Sequence, residues 1–355
     1  MARIKDVRFS TLNLPLRETF KTSLGEKSVT RNVGVTVDLG DIQGYGEASS
    51  SLAMPEATPA SMMNVIGKAA GLLIGARLED WKGIIHDILK RWPKSPTAVS
   101  ALECALLDAF CRSKGQSIAK YFGGAKKEIE TYYTIPALDP SFCTGLARGL
   151  SREGFRRFKV KITGKDFAED LRRIENVFNA GPKHSIIVDA NQGLDAKGAL
   201  NLIDALQKAS VTLDLLEQPL PKDDIKGHKF VKDRSPCLIG ADESVRTFED
   251  AEKFIAADAA QVINLKIAKT GLIEGQRIAK LVLASGRKLM IGCMMESAAG
   301  LSASVQWALG AGKFQFHDLD SFLLLKEAGR SAGFTNRGPL LSLKPKTLGS
   351  GIDAL

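Results

Sequence analysis

The sequence Phe158-Lys159-Val160-Lys161 is the first of seven short apolar runs between residues 156 and 320 that each end in a polar residue. The other six occupy residues 186–189, 213–217, 238–242, 262–266, 289–293 and 314–318. From Lys161 to Lys266, consecutive polar ends are 24 to 28 residues apart, which suits one strand and one crossover helix. The spacing therefore predicts a parallel barrel of alternating strands and helices.

An eighth strand is predicted at residues 131–136, ahead of the seven runs. Helical patterns separate the strands, and examples occupy residues 167–180, 197–209, 248–256 and 273–285. No clear crossover helix follows the last strand, at residues 314–319. We therefore expect a modified (β/α)8 barrel of the (β/α)7β kind, which gathers the C-terminal ends of its strands on one face.

Residues 1–50 have a different pattern. Apolar residues alternate with others through residues 33–39, and Gly40-Asp41 then supplies a turn, which indicates an antiparallel meander. Residues 20–32 are predicted to form a polar loop that is long enough to act as a lid. The clearest helix that follows begins at Ser95-Pro96, a capping residue with proline at the first helical position.

These patterns predict two domains. Residues 1–125 form an α+β domain, which the tail at about residues 325–355 completes. Residues 126–324 form the barrel, which carries the catalytic groups.

The composition is that of an ordinary globular protein, with 44% hydrophobic and 25% charged residues among 355. No apolar run approaches the roughly 20 residues of a membrane span, and the first six residues lack the apolar core of a signal peptide. The five cysteines are scattered and odd in number, which indicates a reduced, cytoplasmic protein. The net charge of +9 is spread along the chain without a basic block, so nucleic-acid binding is not expected.

Charged residues lie at the ends of five neighbouring predicted strands. They are Lys159 and Lys161 on the second strand, Asp189, Glu217 and Asp242 on the third to fifth, and Lys266 on the sixth. The two lysines of the second strand are two residues apart, so both point into the barrel. Because the second and sixth strands are opposed in a ring of eight, lysines should face each other across a pocket, with the carboxylates along the arc between them.

This arrangement suits metal-assisted proton transfer. Three oxygen ligands on adjacent strands fit Mg²⁺, whereas zinc would recruit histidine or cysteine, and neither lies in the arc. We expect burial and a nearby cation to lower the pKa of a lysine there, making it a usable base. One lysine on each face of a planar intermediate can remove a proton from one side and return it on the other, which gives an epimer. A single such lysine is usually a structural ion pair, but stability does not require six charges at successive strand ends.

The residues at these strand ends resemble the enolase superfamily, in its muconate-lactonizing subgroup. The matching segments are Lys159-Val160-Lys161, Val188-Asp189-Ala190-Asn191-Gln192, Glu217-Gln218-Pro219, Ala241-Asp242-Glu243-Ser244 and Asn264-Leu265-Lys266. Residues 1–125 look like the capping domain of that superfamily, with Gly44-Tyr45-Gly46-Glu47 at its usual strand end. The resemblance covers nearly the whole chain and implies a capping domain over the barrel.

The resemblance also implies a role for each charged residue. Asp189, Glu217 and Asp242 would bind one Mg²⁺ per subunit, and Lys161 and Lys266 would form the acid/base pair. Lys159 would be an auxiliary cation for the enolate, while Asn191 and Glu243 would support the groups around the metal.

Asp318-Leu319-Asp320 resembles the DxD motif of dipeptide epimerases, in which two carboxylates hold the α-ammonium of the dipeptide. Residues two apart on a strand share a face, and two acids there repel unless a cation lies between them. The other interpretation is that both acids merely neutralise neighbouring lysines. By the same resemblance, Thr134 lies near the substrate backbone, and Met295 belongs to the segment that lines the pocket.

Two departures from the family pattern are visible. Members that act on Ala-Glu often carry an arginine in the capping loop, and Gly25 stands at that place here. Lys27 or Arg31 is an available substitute, but exposed lysines are usually solvated, and Met295 adds an apolar wall that favours a neutral or hydrophobic C-terminal residue. The second departure is Thr270-Gly271-Leu272, where the family commonly has two glycines, and only a local loop change is expected.

We therefore expect an Mg²⁺-dependent dipeptide epimerase that inverts the α-carbon of the C-terminal residue of an L-Ala-L-Xaa dipeptide through an enediolate. The alternatives in the same subgroup are an o-succinylbenzoate synthase, an N-acylamino acid racemase and a cycloisomerase. A non-enzymatic binding protein would tolerate the loss of Lys161 and Lys266, and a sugar-acid dehydratase would need a histidine at the strand ends. The expected partner is the dipeptide, in a cytoplasmic homo-oligomer that binds neither nucleic acid nor membrane.

Overall fold

The computed structural model of the chain describes residues 2–327 and 332–352. The chain begins with an antiparallel sheet of three strands, β1 (Asp6–Thr22), β2 (Gly25–Asp38) and β3 (Gln43–Ala48), with β2 in the centre. The alternation at residues 33–39 falls largely in β2, whose valines there are fully buried. The predicted meander is confirmed.

The predicted lid loop at residues 20–32 is instead a hairpin. Only Ser23 and Leu24 lie between β1 and β2, and Phe20 is paired with Lys27 across the two strands. The loop prediction was wrong because these strand ends carry mainly polar residues, so no apolar alternation marks them as strands.

Four helices follow this sheet. They are α1 (Pro59–Leu73), α2 (Trp81–Arg91), α3 (Pro96–Ser113) and α4 (Ile118–Tyr121). The predicted helix is α3, which begins after Ser95 as expected. It crosses β3 so closely that a Cβ at Gly44 or Gly46 would overlap the backbone of α3. Packing therefore requires both glycines.

A short strand, β4 (Glu128–Glu130), leads into the barrel. The barrel strands are β5 (Tyr133–Ile135), β6 (Arg157–Lys161), β7 (Ser185–Asp189), β8 (Leu213–Glu217), β9 (Leu238–Ala241), β10 (Val262–Leu265), β11 (Lys288–Gly292) and β12 (Phe316–Asp318). They form one parallel sheet in chain order. The N–H of Tyr132 donates to the carbonyl oxygen of His317 at 2.8 Å, which joins the first strand to the last.

Within the described residues, seven helices connect these strands. They are α5 (Pro140–Arg152), α6 (Phe167–Asn179), α7 (Ala196–Lys208), α8 (Ile225–Lys232), α9 (Phe248–Ala256), α10 (Ile267–Ala284) and α11 (Ala298–Ala311). A 3-10 turn at Ser321–Leu324 follows β12 in place of an eighth helix. The architecture is the predicted (β/α)7β barrel. In the part of the chain that the structure describes, no helix has the length and apolar character needed to cross a membrane.

Strand β6 shows how the sequence sets the two faces of the barrel wall. Phe158 and Val160 pack in an apolar cluster with residues of α5 and α6. Lys159 and Lys161 alternate with them and point inward, because successive side chains of a strand lie on opposite sides. The apolar run is therefore the outer wall, and the lysines belong to the interior.

Helix α10 is broken at Gly271, whose φ of 70° and ψ of −177° are not helical. Glu103 of α3 accepts hydrogen bonds from the N–H groups of Leu272 and Ile273, at 2.7 and 2.8 Å. It thereby caps the second half of α10. A Cβ at position 271 would overlap the Glu103 carboxylate. Of the two glycines that are common in the family at this place, the chain has only Gly271, and the break in α10 requires it.

The tail adds β13 (Phe334–Arg337) and β14 (Leu340–Leu343), which form a small antiparallel sheet with β4. It then returns to the N-terminal helices, where Asp108 accepts a hydrogen bond from the N–H of Ser350 at 2.7 Å. The division into residues 1–125 and 126–324 stays a prediction. Residues 328–331 and 353–355 of the predicted tail lie outside the described residues.

Candidate active site

Three buried carboxylates meet at the C-terminal ends of β7, β8 and β9. Oxygen atoms of Asp189, Glu217 and Asp242 all lie within 4.8 Å of one another. They converge because the parallel strands are in register. Asp189 is paired with Glu217, and Glu217 with Gly240, two residues before Asp242. The structure thus brings together the three predicted metal ligands.

The carboxylate triad fits a hard divalent cation. Burial raises the pKa of Glu217 to about 7, and the negative charges of Asp189 and Asp242 raise it further. The positive charge of Lys159 lowers this pKa but does not cancel the rise. Oε2 of Glu217 lies 2.9 Å from Lys159 Nζ but accepts no hydrogen bond from the described residues. A set of carboxylate oxygens without nitrogen or sulfur donors suits Mg²⁺, so these residues are able to hold one.

Lys159 is a fully buried cation among carboxylates. Its Nζ donates to Asp318 Oδ2 at 2.7 Å and to Glu217 Oε1 at 3.1 Å, and it lies 3.0 Å from Asp189 Oδ2. Burial alone would lower the pKa of this ammonium, but the three carboxylates raise it well above its usual value. Lys159 therefore keeps its proton and acts as a fixed positive charge.

Lys161 and Lys266 stand on opposite sides of one cavity. Three strands separate β6 from β10 in the sheet, and both side chains line the cavity. Lys161 Nζ lies 2.5 Å from Asp189 Oδ2 and 3.2 Å from Asn191 Oδ1. Lys266 Nζ lies 2.7 Å from Asp242 Oδ2. Each amine is therefore anchored to one carboxylate of the triad.

The pKa of Lys266 differs from the expectation for a base. Burial alone would lower this pKa, but the carboxylate of Asp242 raises it above its usual value. The expected lowering of the lysine pKa was wrong for Lys266, because Lys266 forms a direct ion pair with Asp242 that the sequence pattern does not reveal. That ion pair outweighs the effect of burial.

Asp318 ends β12, Asp320 follows two residues later, and both line the same cavity. The N–H of Thr134 donates to Asp320 Oδ2 at 2.6 Å, and its hydroxyl lies 3.3 Å from an oxygen of each acid. Asp318 is paired with Lys159, but no lysine or arginine of the described chain lies within 4.0 Å of Asp320. Burial and the charge of Asp318 raise the pKa of Asp320 to about 7. The acid pair can therefore accept one further cation.

The β1–β2 hairpin supplies one wall of the cavity, and Met295 lines the cavity as well. The hairpin residues that line the cavity are Phe20, Thr22, Leu24 and Lys27. The ring centre of Phe20 lies 5.9 Å from Lys161 Nζ. The hydroxyl of Ser23, at the tip of the hairpin, donates to the carbonyl oxygen of Asn191 at 2.7 Å. The hairpin therefore closes over the end of β7, beside one lysine of the pair.

Asn191 and Glu243 hold each other beside Lys161. Asn191 Nδ2 donates to Glu243 Oε1 at 2.9 Å, while Asn191 Oδ1 accepts from Lys161. Asn191 has a φ of 41°, in the left-handed region that asparagine tolerates better than most residues. Burial, with the charges of Asp242 and Asp189, raises the pKa of Glu243 to about 7. Both predicted supporting residues lie within the site.

Lys269, a buried residue at the start of α10, was not among the predicted site residues. Its Nζ donates to the carbonyl oxygen and Oδ1 of Asp242, at 2.5 and 2.6 Å, and to the carbonyl oxygen of Asn264 at 2.9 Å. Its spacing from Lys266 was the available signal, because residues three apart at the start of a helix share a face.

Two family models cover most of the chain. Residues 4–123 match the mandelate racemase / muconate lactonizing enzyme N-terminal domain, and residues 144–339 match the enolase C-terminal domain-like family. The chain belongs to the mandelate racemase / muconate lactonizing enzyme family. The predicted resemblance to the enolase superfamily is confirmed.

Relatives within this family are named for dipeptides. The chain is 33% identical to the L-Ala-D/L-Glu epimerase of Thermotoga maritima, over 97% of this chain and 99% of the relative. It is 35% identical to the aromatic dipeptide epimerase of Herpetosiphon aurantiacus, over 96% of both chains. A dipeptide epimerase from Enterococcus faecalis, solved with Mg and L-Leu-L-Tyr, has 27% identity and a TM-score of 0.94 over 99% of this chain and 100% of that chain. The names of these proteins all refer to dipeptides, but the dipeptides differ in their side chains.

Proposed function

We propose that this member of the mandelate racemase / muconate lactonizing enzyme family is a dipeptide epimerase. It would invert the α-carbon of the C-terminal residue of an L-Ala-L-Xaa dipeptide. The observation that carries the proposal is one cavity that is lined by Lys161, Lys266 and the acid pair, with the two lysines held by carboxylates of the triad. A dipeptide offers an ammonium for the acids, a carboxylate for a cation at the triad, and an acidic α-proton beside that carboxylate.

The residues of the chain supply binding and proton transfer. Asp318 and Asp320 hold the substrate ammonium and so fix the position of the dipeptide along the cavity. One lysine of the pair takes the α-proton, and the opposite lysine returns a proton on the other face of the planar intermediate. Lys159, which keeps its own proton, stabilises the negative charge that spreads onto the substrate carboxylate.

Asp189, Glu217 and Asp242 are the residues proposed to hold one Mg²⁺. When bound, the ion would offset the added charge of the substrate carboxylate and weaken the hold of Asp189 and Asp242 on the lysine protons. Asn191 and Glu243 keep Lys161 in line with Asp189. Thr134 joins the two acids of the pair, so that they face the substrate together.

The named relatives support this reaction, since each is called an epimerase of dipeptides and two are at least 33% identical over nearly the whole chain. The alternatives in the subgroup, N-acylamino acid racemase and o-succinylbenzoate synthase, act on substrates without an ammonium. With such a substrate bound, no positive charge would offset the carboxylate of Asp320, which lies beside that of Asp318. A cytoplasmic homo-oligomer stays a prediction.

The test is isotope exchange in D₂O with Mg²⁺ and a set of L-Ala-L-Xaa dipeptides, read by mass spectrometry and NMR. We expect deuterium at the C-terminal α-carbon, together with the L,D diastereomer. A variant with both Lys161→Met and Lys266→Met gives the background, because it lacks both proton carriers. Exchange with N-acylamino acids but with no dipeptide would overturn the proposal.

A further inference from the structure

Lys27 is a lysine of the cavity that no acid holds. It lies on β2 opposite Phe20 of β1, and both side chains line the cavity. Its Nζ donates to Thr30 Oγ1 at 3.2 Å and to the carbonyl oxygen of Ser50 at 3.1 Å. Both acceptors are neutral. An ammonium has three N–H donors, and the third finds no acceptor among the residues that the structure describes.

The charge of Lys27 is therefore uncompensated. No carboxylate of the described chain lies within 4.0 Å of its Nζ, whereas Lys159, Lys161 and Lys266 each have at least one. Burial lowers the pKa of Lys27 to about 8, which reflects the cost of keeping a charged amine here without a counter-ion. An anionic group on a ligand would remove that cost.

The proposed reaction fixes the direction of the substrate side chain. A planar α-carbon keeps three groups, which are the carboxylate, the amide nitrogen and the side chain. The lysine pair occupies the two faces, the substrate carboxylate would face the cation proposed at the triad, and the acid pair draws the nitrogen toward β12. We infer that the remaining direction in the plane leads to the hairpin wall, a part of the cavity lining that these groups leave free. There Phe20 lies beside Lys161, and Lys27 lies beside Phe20.

We propose, on the basis of the epimerase function above, that the C-terminal residue of the substrate is acidic and that Lys27 binds its side-chain carboxylate. Leu24, Leu52 and Met295 line the same cavity, and they match the methylene groups of a glutamate side chain. This replaces the expectation of a neutral or hydrophobic residue, which rested on Met295 and on treating Lys27 as a solvated lysine. The other available cation, Arg31, is exposed and does not line the cavity.

The test uses two substrates that differ in side-chain charge, L-Ala-L-Glu and L-Ala-L-Gln. We expect kcat/KM of the protein to favour the acidic dipeptide, and this ratio to fall about 10- to 100-fold in Lys27→Met, mainly through KM. Lys27→Arg should keep most of the ratio, because the charge remains. Lys21→Met is the matched control, since Lys21 is exposed and paired with Glu26 on the opposite face of the same hairpin.

The outcomes separate this inference from the proposed function. A Glu-to-Gln ratio that Lys27→Met leaves unchanged overturns the role of Lys27. Faster turnover of L-Ala-L-Leu than of L-Ala-L-Glu overturns the acidic class, while epimerisation itself still supports the proposed function. If the protein epimerises no dipeptide at all, the proposed function fails, and this inference fails with it.

Discussion

Lys269 donates to both the carbonyl oxygen and Oδ1 of Asp242, at 2.5 and 2.6 Å. The second carboxylate oxygen, Oδ2, lies 2.7 Å from Lys266. A lysine that does not line the cavity therefore orients a proposed metal ligand, and that ligand in turn holds a lysine of the proton-transfer pair. The direction of Lys266 depends on this chain of contacts.

Replacing Lys269 should weaken metal binding. We expect Lys269→Met to lower the affinity for Mg²⁺ about 10- to 100-fold, because groups that orient a ligand commonly have effects of this size. Calorimetric titration with Mg²⁺ measures the affinity. Lys280→Met, at an exposed position of the same helix, is the control and should bind like the unaltered protein. Equal affinities for the two variants would show that Asp242 keeps its direction without Lys269.

Removing one lysine of the pair should separate proton exchange from inversion. In Lys266→Met we expect epimerisation to fall at least about 100-fold. One diastereomer should still exchange its α-proton in D₂O, because Lys161 faces the other side of the cavity. NMR of the L,L and L,D dipeptides, incubated separately, measures both rates. Comparable residual exchange with both diastereomers would contradict a two-sided mechanism.

The acid pair should recognise the substrate ammonium. We expect Asp320→Asn to raise KM for a free dipeptide about 10- to 100-fold, since a charge-assisted contact is lost. The unaltered protein should discriminate strongly against the N-acetylated dipeptide, and the variant should not. Steady-state kinetics with both substrates tests this, and a variant that still rejects the acetylated dipeptide would argue for a different ammonium site.

The preference for an acidic substrate should depend on pH. Lys27 has a pKa lowered to about 8, so its amine is charged below that pH and loses its charge as the pH rises through it. We expect the Glu-to-Gln ratio of kcat/KM to be constant between about pH 6 and pH 7 and to fall above about pH 8. The ratio cancels any effect of pH on the proton-transfer steps themselves, since both substrates share those steps. A ratio that stays level to about pH 10 would contradict the assignment.

Gly271 should be required for stability. We expect Gly271→Ala to lower the free energy of unfolding by about 1–3 kcal/mol, because an L residue is strained at its φ and its Cβ would meet Glu103. Gly149→Ala in α5, where no neighbour lies within 4 Å of the added Cβ, should raise stability by about 0.5–1 kcal/mol. Denaturant unfolding of both variants measures this. Equal effects would mean that the break in α10 tolerates a side chain.

The strand ends could be predicted from sequence because a parallel strand buried on both sides gives a short apolar run, and a polar residue at its end stands out. Asp189, Glu217 and Lys266 were found in this way, and the order of the strands then placed them around the barrel. The break at Gly271 and its cap by Glu103 were not visible, since they depend on a contact between segments that are distant in the chain.

The β1–β2 hairpin and the place of Lys27 in the cavity could not be predicted, for a related reason. Between Phe20 and Lys27 the strands carry mostly polar residues, so periodicity gives no signal, and Lys27 looked like any surface lysine. Its place in the cavity follows from pairing across the strands, which a single sequence does not reveal. For Lys269 the only local signal was its spacing from Lys266, and that spacing alone does not tell a buried helical lysine from a solvated one.

The contact between Glu103 and α10 limits how freely the parts of this protein can be exchanged. The helix that starts next to Lys266 has its second half secured by a carboxylate from α3, which the barrel does not encode. A hybrid enzyme that joins this barrel to the N-terminal part of a relative would therefore need an acid at the same place on the incoming helix. Without that acid, we expect the second half of α10 to lose its cap, so the exchange of N-terminal parts is constrained in this chain by a contact far from the substrate.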